Sequence, residues 1–369
     1  MYVRNLFFKL LFVGFLIISC SEKKSKVHEL DLNKVPIFIP NLLANFDSIE
    51  DLYFSHLAYK SIATTSNHLV LADRQNKFVV IVDDKGVLIN KIREGRGPGE
   101  ILDVYEMTRT LDNTIYLTDN GNKKILIYDE DLRFIKEFKP KLFEGTSIVN
   151  VFPGSENKFI FELTSFDFLK NKDKQSEKIF VQYNLEDEKY GKEIRIKDRP
   201  YARTYMDGRL VGAAQVPYSN TSLTSYNPEN QSLFVYETSK SEILELSSDF
   251  DTLNTIRINL PVQKLSDSEV DSLREGESGE QWKTMSSYLP EFKSEAERFF
   301  YNNNRLWVQS NLRGDYQKWF VLNMKGRIIK IALLPKDGMV THVSDENIGV
   351  RINDVEFAVY SNQMHELEK

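Results

Sequence analysis

Histidines, one cysteine, two turn aspartates and a glycine-rich loop are the residues here whose types can do chemistry. The five histidines are His28, His56, His68, His342 and His365, and none pair at metal-ligand spacing. His56 and His342 can meet only if the fold brings its two ends together. A lone histidine of this kind is usually a hydrogen-bonded structural one. No Gly-x-Ser-x-Gly elbow is present, and Cys20 closes an apolar leader, so neither usual nucleophile is on offer. Asp73 and Asp119 fall at equivalent places, each followed by an Asn-Lys pair (Asn76-Lys77 and Asn122-Lys123). Such repetition predicts a turn role in which Asp accepts backbone amides, and no calcium-loop spacing accompanies it. No cofactor is therefore expected.

The loop Arg93-Glu94-Gly95-Arg96-Gly97-Pro98-Gly99-Glu100 allows two readings. Successive amides, with Arg96 alongside, can form an anion-binding concavity. Equally, the glycines and proline can shape a turn that packs neighbouring elements. It is not a nucleotide phosphate loop, since the terminal Lys-Ser/Thr and the surrounding βαβ unit are absent.

The elements that position these residues are strands. Residues 113–140 hold three short apolar runs separated by Asp-Asn-Gly-Asn and Asp-Glu-Asp turns, and the pattern recurs along the chain. Aligned on the clearest strand, the repeats begin at Leu69, Ile115, Phe159, Leu233, Leu306 and Ile348, with compact neighbours about 42 to 46 residues apart. Each carries four antiparallel strands, the make-up of a propeller blade. The expected fold is all-β, a six-bladed propeller spanning residues 27–369. The last repeat lacks room for its fourth strand, and a ring must close. The segment Val27–Ile39 is expected to supply that strand.

With strands a to d running outward from the axis, b–c loops and d-to-a crossovers share a face. The three long insertions, 165–177, 197–213 and 261–299, all fall there. Loops carry function on rigid scaffolds, so this is the expected binding face, with Arg96, Gly97, Glu100, Arg203, Tyr205, Arg313, Asp315 and Tyr316 as its candidate residues. Rings beside charged forks, such as Tyr201, Tyr205 and Tyr316 near Arg203, Arg313 and Asp315, suit sugars or peptides. In the third insertion Ser266 and Glu269 have capping-box spacing, which predicts a helix.

At the N-terminus Arg4 and Lys9 flank an apolar run, Leu10–Ile18, too short to span a membrane. Ile17-Ile18-Ser19-Cys20 reads as a lipobox: a signal peptide over 1–19, lipid on Cys20 and a polar tether over 20–26. This implies an envelope membrane, and the lack of an acidic run in residues 21–26, of the kind some surface-lipoprotein signals carry, favours the periplasmic side over the cell surface. The formal charge of −6 and the lack of a long basic run argue against nucleic acid.

Gly95-x-Gly97-Pro98-Gly99-Glu100 behind a lipobox, with Tyr288-Leu289-Pro290 and Arg305-Leu306-Trp307-Val308, resembles the six-bladed β-propeller lipoproteins of bacterial envelopes. That family is related to TolB-like and NHL-type propellers. The resemblance implies a non-catalytic binding or scaffold role, with a glycan, peptide or envelope protein as ligand. The alternative is a metal-dependent lyase or lactonase at the axial mouth. Axial carboxylates joined by His56 or His342 around a divalent ion would favour it, and an apolar channel would favour the scaffold.

Overall fold

A computed structural model describes residues 32–142, 145–154, 157–171, 173–276, 279–362 and 364. The leader, Cys20, the tether, His28 and His365 lie outside the described residues. Two compact units divide the chain, 1–35 and 36–369. In the first, Leu32–Lys34 form a turn of 3-10 helix.

The second unit is the all-β, six-bladed propeller that the repeats predict, each blade a four-stranded antiparallel sheet. Blade one is Ile62–Ala63, Leu69–Asp73, Phe78–Val82 and Leu88–Ile92; blade two is Val104–Arg109, Ile115–Asp119, Lys124–Tyr128 and Phe134–Phe138. Blade three runs Thr146–Pro153, Lys158–Ser165, Glu177–Asn184 and Lys189–Lys197; blade four, Ser222–Asn227, Ser232–Glu237, Glu242–Leu246 and Thr252–Arg257. Blade five is Ala296–Asn302, Arg305–Ser310, Tyr316–Asn323 and Ile328–Pro335. Blade six has Met339–Val343, Asn347–Arg351 and Phe357–Ser361, completed from upstream.

Strands b and c are covered on both faces by neighbouring blades, so they read as apolar runs. Leu69–Asp73 and Phe78–Val82 are buried at every residue. Outer strands face solvent, and Thr252–Arg257 buries only Ile256. The core is a set of seams between blades. Val70, Val79, Met107 and Leu117 join blades one and two, and Trp307, Trp319, Val340 and Ile348 join five and six. Each large side chain buried there contributes about 2–3 kcal/mol.

Asp73 and Asp119 take the predicted turn role and extend it. Asp119 accepts amides from Gly121 and Asn122 in its own turn and from Leu102 and Asp103 in the preceding crossover, at 2.9–3.2 Å. Asp73 does the same for Asn76, Ser55 and His56. One carboxylate thus sews a crossover to a hairpin.

Ring closure differs from expectation by one element. The outer strand of blade six is Leu42–Phe46, antiparallel to Phe357–Ser361. Within the expected segment, Ile37–Phe38 instead adds a parallel fifth strand to blade five, with Ile37 opposite Ile331. Pro36 and Pro40 bracket Ile37–Ile39 and withhold their amides, which limits that stretch to a short edge strand. Leu42–Phe46 contains no proline, and its buried Phe46 enters the seam between blades six and one. The two consecutive strands latch two neighbouring blades.

Candidate functional site

The long insertions brace one another. The first contains a short helix, α1 (Asp167–Lys170). The second folds into a hairpin, Tyr201–Met206 with Arg209–Gln215, around a two-residue Asp207-Gly208 turn with both residues at positive φ. The third carries α2 (Asp267–Glu275) and α3 (Gly279–Ser286) where one helix was expected. The capping box at α2 is present: Ser266 accepts the Glu269 amide, and Glu269 accepts the Ser266 amide.

Arg203 donates Nη1 to the carbonyls of Phe168, Asn171 and Lys174, at 2.5, 2.9 and 3.2 Å, gathering the first insertion onto the hairpin. The Tyr201 ring lies 4.5 Å from that of buried Phe168. On the other side, Met285 of α3 is buried against Ala202 and Val216. Arg199 pairs with Glu297 at 3.0 Å. Outward, this platform exposes Phe166, Met206, Val211, Tyr288 and Phe292.

A second cluster fastens α2. Glu269 receives Arg313 at 2.5 Å and the buried Lys293 at 3.0 Å. Burial pushes the Glu269 carboxyl up, but the Arg313 guanidinium, the Ser266 amide and the Lys293 ammonium outweigh it and hold the carboxyl down to about 2. Arg313, Tyr316 and Leu273 share a cavity of about 590 Å³ with this cluster, and Asp315 is exposed beside it.

The glycine-rich loop joins blades one and two, apart from both clusters. Its amides are filled from within: Gly97 donates to Glu100 at 2.7 Å, Gly99 to Glu137 at 3.1 Å and Gly95 to the Ile101 carbonyl at 2.9 Å. Its carbonyls receive Lys124 at Gly97 and the Tyr128 hydroxyl at Gly99, both at 2.9 Å. Gly99 needs its φ of +68°, and a Cβ on Gly95 would stand 1.9 Å from the Glu100 carboxylate. Arg96 is exposed. The candidate residues therefore share a face but form three groups: the loop, Arg203 with Tyr205 on the hairpin, and Arg313, Asp315 and Tyr316 beside α2.

Along the axis the inner strands carry charge. Lys60 faces Glu106 at 3.3 Å; further out, on strands b and c of blade three, Lys178 faces Glu162 at 3.3 Å. Burial raises the Glu106 carboxyl against the pull of Lys60. A cavity of about 300 Å³ lies below them, lined by inner-strand residues of all six blades. Its rim includes Thr65, Leu111, Glu229, Asn303 and Asp345, all in a–b turns. It therefore opens on the face opposite the insertions. Arg109, which lines it, went unnoticed in the sequence; charged residues at inner-strand positions, where packing favours apolar ones, were the available signal.

His342 is in this wall and buried. Its Nδ1 meets the Ser61 hydroxyl at 2.5 Å and its Nε2 meets Asn347 Oδ1 at 2.8 Å, the pattern of a neutral ring donating from Nε2. Burial drives its pKa down to about 4, opposed by the Asn347 hydrogen bond and assisted by the Arg109 charge. His56 instead faces Asp354 at 3.6 Å. Among the described residues no three His, Cys, Asp or Glu side chains are grouped to hold a metal ion, and both nitrogens of His342 are occupied by protein. The channel is polar rather than apolar, with Lys60 ion-paired to Glu106 and Arg109 in its wall.

Four-stranded blades closed by an upstream strand define a six-bladed propeller. A family model described as 6-bladed beta-propeller (DUF5128) matches residues 58–203. A search of curated proteins finds no significant match. Among solved structures, a DUF4221 member from Bacteroides vulgatus aligns with TM-score 0.50 and 9% identity, over 86% of this chain and 95% of that one. Virginiamycin B lyase from Staphylococcus aureus aligns with TM-score 0.45 and 10% identity, over 86% and 98%. A putative exported protein from Bacteroides fragilis gives 0.43 and 14%, over 88% and 98%. Likenesses at this level concern the fold alone. Among the described residues no helix is long and apolar enough to cross a membrane.

Proposed function

We propose that the protein is a non-catalytic docking propeller of the bacterial cell envelope. Lipid on Cys20 holds it to a membrane on the periplasmic side, and the insertion platform seats another envelope protein. One observation carries this reading: polar side chains of the platform are used to brace it, while apolar ones face outward. A braced surface with exposed Met206, Val211, Tyr288 and Phe292 suits protein docking, where apolar and aromatic anchors dominate. A glycan would call for spare polar groups beside the rings, and Arg203 and Arg313 already bond to protein.

A photo-crosslinking residue at Val211, compared with one at Val87 on blade one, tests the docking face in cells. Discrete adducts from Val211 that disappear when Met206→Asp is added support it. Equal labelling from both positions, or none from Val211, contradicts it. The anchor is tested separately by fatty-acid incorporation, which Cys20→Ala must abolish.

A further inference from the structure

We propose that the axial cavity on the face opposite the insertions binds a small ring-bearing monocarboxylate, with Arg109 as its anchor. Arg109 ends the inner strand of blade two and is half-buried in the cavity wall. One Nη1 hydrogen goes to Asn113 Oδ1 at 2.6 Å. Among the described residues no carboxylate stands within ion-pair distance of its guanidinium, although four of the five N–H groups in its planar fork remain beyond the Asn113 bond. The opposing charge that acts on it is that of Asp345. The oxygens of Asp345 already accept Asn302 Nδ2 at 2.9 Å and Asn303 Nδ2 at 3.2 Å. Removing a charge from water without a partner is costly, and burial accordingly lowers the Arg109 pKa. A bound carboxylate offsets that cost through two parallel hydrogen bonds.

The surroundings narrow the ligand further. Lys60, the other cavity cation, is committed to Glu106. Glu229 and Asp345 stand at the rim. With one spare cation and two rim carboxylates, the site favours a monoanion over a dianion such as phosphate. Tyr226 and Phe300, both half-buried, add aromatic surface to the lining. A volume of about 300 Å³ admits a metabolite-sized body. An aromatic acid and a uronic acid share this chemistry, and the test separates them.

The experiment is thermal unfolding and calorimetric titration of the full chain in detergent with benzoate, glucuronate and inorganic phosphate, at ionic strength matched with chloride. The expected result is a saturable rise in Tm with benzoate or glucuronate and none with phosphate. Arg109→Met should lower carboxylate affinity at least tenfold and leave the ligand-free protein equally or more stable. If that variant does not fold, Glu229→Gln gives the second reading, since loss of a rim carboxylate should tighten binding several-fold. No response of the wild type to either carboxylate overturns the proposal. So does a response to phosphate alone, an undiminished response in Arg109→Met, or unchanged binding in Glu229→Gln.

Discussion

Cations on the two faces of this propeller behave differently. On the insertion face Arg203 holds three carbonyls, and Arg313 and Lys293 share the Glu269 carboxylate. In the axial cavity Arg109 has one side-chain acceptor at Asn113 and no ion-pair partner among the described residues. The same side-chain chemistry is bracing in one place and unfilled capacity in the other. An arginine in a loop therefore signals a ligand only when its donors are free, and loop length alone does not reveal that. The insertion face offers surface, and the opposite face offers a charge.

Breaking the brace gives the largest expected effect. Glu269→Ala leaves the buried Lys293 ammonium without its carboxylate, which should cost about 3 kcal/mol in a urea unfolding titration at pH 7. A loss below 1 kcal/mol would mean that the cluster is not bracing α2.

The acid response should separate the faces next. His342 has its folded-state pKa lowered from 6.5 to about 4, so the native state favours the neutral ring. Its contribution is complete above pH 6.5 and is lost as pH falls from 6.5 toward 4, reaching about 3 kcal/mol at pH 4. Glu269 also has a depressed folded-state pKa, about 2, so its contribution is present above its unfolded value and is lost at lower pH, from about 4 toward 2. Unfolding midpoints measured from pH 7 to 3 should show the His342 limb first. His342→Gln should flatten that limb and leave the lower one.

Arg203→Ala should cost about 1–2 kcal/mol for its hydrogen bonds to carbonyls. More tellingly, limited proteolysis should then cut within 165–176 faster, while the propeller stays intact. The smallest effect is expected at the glycine-rich loop. Glu100→Ala removes the acceptor of the Gly97 amide, about 1 kcal/mol by differential scanning calorimetry.

Much of the fold was legible because strands b and c are apolar runs bounded by turn residues, as in Leu69–Asp73 and Ile115–Asp119. Ser266 and Glu269 marked the start of α2 correctly, since capping is local. The closing strand was misassigned because the choice between Ile37–Phe38 and Leu42–Phe46 depends on a partner some 300 residues away. Pro36 and Pro40 were the local clue. The hairpin at 201–215 was read as a loop, although Asp207-Gly208 signals a two-residue turn. Arg109 could not be placed, because an inner-strand charge gains meaning only once the blades are paired and its neighbours known.

The central claim is that the insertions form one braced platform, and hydrogen exchange tests it most directly. Amides of α1, the 201–215 hairpin and α3 should exchange slowly in the native protein. In Arg203→Ala, protection of α1 and of the hairpin should fall together while the strands of blades one and two remain protected. If α1 exchanges freely in the native protein, or the variant leaves its protection unchanged, the insertions are separate loops and the docking surface does not exist as a unit.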